Sequence, residues 1–173
     1  APFRQLTLSF VVDGKTLKRQ TFSYGDSFTA ADYPEVSEKD GSYVRWDQEK
    51  LDHLRFDTVV TGEYTPYVTT LGSSQQRTNQ RPVLLVQGNF REGDAMQMED
   101  VSGQAAGNVV ECWNVQIPDD GQSVHTVRWL IPENAGRRLA VYVDIGSGAQ
   151  KAETEKNGSY LCFSMEGSGT VTV

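Results

Sequence analysis

Near its start the chain reads Leu6-Thr7-Leu8-Ser9-Phe10-Val11-Val12 and then runs straight into Asp13-Gly14. Alternation with a period of two places Leu6, Leu8, Phe10 and Val12 on one face of a strand, with Thr7 and Ser9 on the other. Asp-Gly supplies the positive φ that a tight hairpin turn requires. This opening excludes a helix and predicts a returning strand over Thr16–Tyr24. On that strand Leu17, Phe22 and Tyr24 are the apolar positions, and Lys15, Lys18 and Arg19 face solvent. Basic side chains on an edge strand guard against edge-to-edge aggregation.

The next stretch, Ser27–Lys39, is irregular. Pro34 ends any helical turn at about Tyr33, because proline disfavours the helical region for the residue before it. Gly41 restarts an extended segment in which Val44 and Trp46 share a face, and Gln48–Arg55 reads as a short helix or loop. A strand rich in β-branched and aromatic residues follows over Thr58–Tyr67. The predicted core of this part is Phe10, Phe22, Trp46 and Tyr64.

The order of these pieces is a strand, Asp13-Gly14, a strand, Tyr24-Gly25-Asp26-Ser27-Phe28, Pro34, Gly41-x-Tyr43-x-x-Trp46 and Thr58-Val59-Val60-x-Gly62-x-Tyr64. It resembles the Listeria–Bacteroides repeat, the B-repeat of internalin-type and other surface proteins of Gram-positive and gut bacteria. The resemblance covers residues 4–67 and rests on aromatic, glycine and turn positions. It implies a small β-grasp-like module used as a stalk or spacer on the cell surface, usually in tandem. Here one copy is present, and no second unit of the same spacing follows.

Thr69–Arg81 is rich in Ser, Thr and Gln and poor in hydrophobes, so it reads as a connection between domains. The predicted organisation is a β-grasp-like module at 1–68, a linker at 69–82 and an antiparallel β-sandwich at 83–173. Strands are predicted at Val83–Val86, Ala95–Val101, Val109–Ile117, Val124–Ile131, Leu139–Ile145, Tyr160–Met165 and Thr170–Val173. Glycine- and Asn/Asp-bearing turns separate them. Alternation assigns Trp113, Val115 and Ile117, Val127, Trp129 and Ile131, Leu139, Val141, Val143 and Ile145, and Leu161, Phe163 and Met165 to the core. Trp129-Leu130-Ile131-Pro132-Glu133-Asn134-Ala135-Gly136, Val141-Tyr142-Val143 and Asn157-Gly158-Ser159-Tyr160-Leu161 resemble the sandwich that follows such a repeat near the membrane or wall anchor of related surface proteins.

The net charge is −7, spread as 8 basic and 11 acidic residues up to position 70 and 8 and 12 beyond it. Without clustered Lys and Arg, nucleic acid is an unsuitable partner. No apolar run approaches the ~18 residues of a membrane-spanning helix, so this segment itself is expected to make no membrane contact. No basic segment followed by an apolar one opens the sequence as a signal peptide would. Ala1-Pro2-Phe3 reads as the interior of a strand and Thr170–Val173 as another. The expectation is a segment of a longer protein, held at the cell surface through parts outside this sequence.

Motifs for chemistry are missing. There is no His-x-x-x-His, no Cys-x-x-Cys and no Asp-x-Asp-x-Asp-Gly loop, so neither a zinc nor an EF-hand calcium site is indicated. No glycine-rich phosphate loop is present, and no cofactor is implied. His53 and His125 read as surface or packed residues. Cys112 with His125 lacks the third, orienting group of a nucleophile–base pair. Asp119-Asp120-Gly121 reads as a turn.

Cys112 and Cys162 both fall on the strand phase opposite the apolar one. A disulfide between them fits an exported protein and needs Cα atoms within about 7 Å; free thiols fit a surface protein without an oxidising folding pathway. Of Trp113, Trp129 and Tyr142, Tyr142 alone takes an outward phase. Three functions follow as expectations. The first is a non-enzymatic extracellular spacer or adhesion module, partnered by other domains of its parent protein and by a host protein or glycan. The second is a carbohydrate-binding module, which needs outward aromatics grouped with polar side chains. The third is an enzyme fragment, which needs convergent titratable groups in a pocket.

Overall fold

The computed structural model describes residues 4–136 and 138–173, so the strand expected at Ala1-Pro2-Phe3 lies outside the described residues. The fold is mostly β, and the chain divides into two compact units, residues 1–67 and 68–173.

The first unit holds β1 (Leu6–Val12), β2 (Lys15–Phe22), β3 (Ser42–Trp46) and β4 (Thr58–Pro66) in one sheet of order β2-β1-β4-β3. The turn between β1 and β2 places Asp13 at φ 51° and Gly14 at φ 74°, a primed turn whose twist matches the strands it joins. β4 joins β1 in parallel, with Leu8 opposite Thr58 and Val12 opposite Gly62. This is a β-grasp-like arrangement, but among the described residues no long helix covers the sheet. A single 3-10 turn at Ala30–Asp32 and the paired backbones of Phe28 and Leu51 (2.8 and 3.2 Å) take its place. The core comprises Leu6, Leu8, Phe10, Phe22, Phe28, Leu51 and Val60, with Trp46 and Tyr33 packed partly buried against it.

Two expectations for this unit are corrected. Tyr64 shares the inward phase of Val60 but stays half-buried outside the core: its ring lies under the Lys39 ammonium at 4.0 Å and its hydroxyl donates to the Ser37 carbonyl (3.2 Å). β2 buries only Phe22. A bulge between Phe10 and Val11 displaces Leu17 from the register, and Tyr24 lies beyond the last pair, Leu6–Phe22, so both side chains are exposed.

The second unit is a sandwich of two five-stranded sheets built from β5 (Val68–Gly72), β6 (Leu84–Phe90), β7 (Gln97–Asp100), β8 (Cys112–Gln116), β9 (His125–Leu130), β10 (Tyr142–Asp144), β11 (Gln150–Lys151), β12 (Glu155–Asn157), β13 (Tyr160–Met165) and β14 (Gly169–Thr172). The sheet orders are β11-β10-β14-β8-β7 and β12-β13-β9-β6-β5, with every pairing antiparallel. One core fills the space between them, with Trp113, Val115, Val141 and Val171 from one sheet side and Val86, Phe90, Trp129, Phe163 and Met165 from the other. Val143 packs against it partly buried.

The polar tract 69–82 is not a free linker. Its first residues are β5, an edge strand that pairs with β6 and buries only Leu71. Its side chains then pin the rest. Buried Ser73 accepts from the Leu84 amide (3.2 Å), Gln75 donates to the Met98 carbonyl (2.8 Å), and Arg77 donates to the Leu130 carbonyl (2.9 Å). The strand expected over Leu139–Ile145 shortens to Tyr142–Asp144. There the Asp144 carboxylate accepts the amides of Gly146 (2.8 Å) and Gly148 (3.2 Å) and turns the chain, leaving Ile145 exposed.

Candidate functional site

The outward face of the sheet β10-β14-β8-β7 is polar because each strand sends its apolar phase into the core. Register aligns these outward residues in rows. Asp144, Thr170, Asn114 and Glu99 form one row, and Tyr142, Thr172 and Cys112 form the next. Two adjoining depressions, about 510 and 470 Å³, run along the face and share Asn114 and Thr170 as a common wall. Thr170 Oγ1 donates to Asn114 Oδ1 at 2.7 Å, which leaves the Asn114 amide NH2 free of that bond. Amides, hydroxyls, the Glu99 and Asp144 carboxylates and one partly exposed ring, Tyr142, therefore line the surface. Such groups can hydrogen-bond a polyhydroxylated or peptide-like ligand.

A second patch lies in the first unit, where Tyr24 and Phe56, 63% and 78% exposed, share a depression of about 690 Å³ with Arg4, Arg55 and Asp57. The sequence does not single out either ring. Phe56 follows a polar loop, and Tyr24 carries the apolar phase of a strand that stops two residues before it.

Buried polar chemistry gathers in the second unit at two places. Asp120 closes over the start of β9, where its carboxylate accepts from the amides of Asn89 (2.9 Å) and Gln122 (3.0 Å) and contacts His125 Nε2 (2.8 Å). Burial pushes the Asp120 carboxyl up. The two amides and the imidazole outweigh that and hold it below the usual carboxylate range. The His125 ring stacks on Phe90 at 5.8 Å between centroids, and its Nδ1 has no partner among the described residues. Residue 88 is glycine for a local reason: a Cβ there would stand 2.5 Å from an Asp120 oxygen and 2.7 Å from the Phe90 ring.

At the second place Arg77 donates to Glu111 Oε1 (2.5 Å), and Trp113 Nε1 donates to Glu111 Oε2 (3.0 Å). The Arg77 guanidinium also lies 5.6 Å from the centre of the Trp129 ring. Both clusters stitch loops to the sandwich, and Arg77, Glu111 and Trp113 also line an open depression of about 890 Å³ with Asp100, Asn134 and Ser159.

The histidines belong to different units: His53 is exposed, with its backbone at φ 48°, and His125 is buried. Trp113 and Trp129 are buried. The proposed pairing of Cys112 with Cys162 does not form, and both thiols are free. Cys112 belongs to β8 of one sheet, where its sulfur meets the Thr172 hydroxyl (3.1 Å) on the outward face; Cys162 belongs to β13 of the other, also in the outward phase. Sheets packed face to face stand about 10 Å apart, so cysteines pointing away from each other cannot meet the Cα limit of a disulfide. Among the described residues no group of three or more His, Cys, Asp or Glu side chains is placed to hold a metal ion, and no helix is long and apolar enough to cross a membrane.

Compared with known proteins, the chain matches no family profile, no curated protein and no solved structure.

Proposed function

We propose that the chain is a non-enzymatic extracellular module of a bacterial cell-surface protein, acting as a spacer with surface for protein interaction. The observation that carries this reading is the parallel pairing of β1 with β4. Because the strands that begin and end the first unit run side by side in one direction, the chain enters at one pole and leaves at the other. Seven strand residues of β1 thus add about 20 Å of reach at the ~3.3 Å rise of a strand residue. An antiparallel pair would return the chain to its starting pole and add none. The resemblance to the Listeria–Bacteroides repeat supports the same reading, since its marked positions fall on turns and packing points: Gly14 and Gly41 at positive φ, and Trp46 against Gly62.

The test is reach. A reporter domain on a bacterial wall anchor is displayed with and without this chain between reporter and anchor, and binding of a bulky antibody to the reporter is compared. A spacer raises binding. Equal binding, with equal amounts displayed, contradicts the reading.

A second reading, carbohydrate binding, is favoured by the exposed Tyr24–Phe56 pair and by the polar rows around Asn114 and Tyr142. Pyranose rings stack on exposed aromatic faces, and adjacent amides take their hydroxyls. A glycan array probed with the full chain separates the two readings. Retention lost on Phe56→Ala or on Tyr142→Ala would favour sugar binding and identify the patch.

A further inference from the structure

We infer that the first unit is a mechanical clamp, built so that tension along the chain is resisted by β1 and β4 in shear. This inference rests on the spacer reading, since a module that holds another domain away from a cell is pulled through its two ends.

Tension reaches β1 at its Leu6 end and β4 at its Pro66 end. The two strands are parallel and directly hydrogen-bonded, so these are opposite poles of one ladder. Its register runs through five consecutive pairs, from Leu8–Thr58 to Val12–Gly62. Pulling the ends apart slides one strand along the other, and every bond of the ladder takes load at the same moment. The Thr7 amide extends the ladder by donating to the Asp57 carboxylate at 2.9 Å.

Water must reach a strained backbone bond to replace it, and here access is poor. β1 and β4 are the two central strands, flanked by β2 and β3. Leu8, Phe10 and Val60 along them are fully buried. Among the described residues this is the chain's one parallel pairing. In the second unit the first and last strands, β5 and β14, belong to different sheets, so no ladder joins them.

The direction of pull provides the test because it leaves composition and stability nearly unchanged. In the full chain carrying Cys112→Ser and Cys162→Ser, tethers are attached at Arg4→Cys and Pro66→Cys, or at Lys15→Cys and Pro66→Cys. All three attachment sites are exposed. The first pair shears the β1–β4 ladder. The second pulls from the pole where β2 begins beside the end of β1 and where β4 ends, and peels the sheet open from that pole one bond after another. Optical-trap unfolding at one pulling rate is expected to give a several-fold higher force for the first pair. Equal forces in the two directions, or a lower force in the first, overturn the clamp. Urea unfolding of both tethered variants checks that they are equally stable at rest. Failure here leaves the spacer reading to stand or fall on the reporter experiment, which needs reach and not strength.

Discussion

Trp46 lies over Gly62, its direct partner across β3 and β4, so closely that a Cβ at residue 62 would stand 2.9 Å from the indole Cε3 and 2.6 Å from Val44 Cγ1. The missing side chain lets the indole settle edge-on to Phe10 (5.6 Å) and Tyr33 (5.7 Å), closing the open side of the sheet where β-grasp folds place a helix.

Gly62→Ala should therefore destabilise the first unit by about 1–3 kcal/mol, the usual cost of overpacking. Its denaturant midpoint should fall while that of the second unit stays put. An unchanged first transition would mean that the indole moves aside without loss.

Asp120 should make the second unit sensitive to acid. Its carboxyl is held below the ordinary value in the folded state, so its stabilisation is complete above the unfolded value, near pH 4, and is lost as pH falls through the lower folded value. Thermal unfolding from pH 7 down to pH 2 checks this. Asp120→Asn should lower stability at pH 7 and lose part of the wild-type decline on acidification.

Arg77 and Glu111 should be strongly coupled. Their side chains are only 20% and 15% exposed, so removing one partner strands the other. Arg77→Ala or Glu111→Ala should each cost roughly 1–4 kcal/mol, discounted from fully buried pairs for the remaining solvent contact. The double variant should cost clearly less than the sum of the two. Glu111 also accepts from Trp113 Nε1, so Glu111→Gln should retain more stability than Glu111→Ala.

The cysteines give a chemical check on the sandwich. Both should titrate as free thiols in the denatured protein without reductant, and reductant should leave thermal stability unchanged. In the native protein half-buried Cys162 should label faster than buried Cys112. Mass spectrometry of alkylated protein reads the thiol count and the labelling order, and thermal unfolding with and without reductant reads the stability.

Strand phase was the most legible feature of the sequence. The inward residues of β8, β9 and β13 follow from alternation, and the hairpin at Asp13-Gly14 follows from turn chemistry. Alternation is the same in parallel and antiparallel strands, so the β1–β4 pairing that orients the first unit was not readable from the pattern. β5 stayed hidden because an edge strand with one buried residue, Leu71, can be written in Thr and Gly. The Asp120–His125 contact was missed because Asp120 serves the turn and the imidazole at once; only the placement of His125 on the inward phase with Val127 and Trp129 hinted that it needed a buried partner. Tyr24 and Phe56 come together from the end of β2 and the approach to β4, which local sequence does not juxtapose.

Surface display is the claim on which the spacer and carbohydrate readings both depend. Antibodies raised against the folded chain, applied to intact and to permeabilised cells of the organism that makes it, test that claim most directly. The account predicts equal labelling of intact and permeabilised cells, abolished by mild protease treatment of the intact ones. Labelling that appears only after permeabilisation would contradict it.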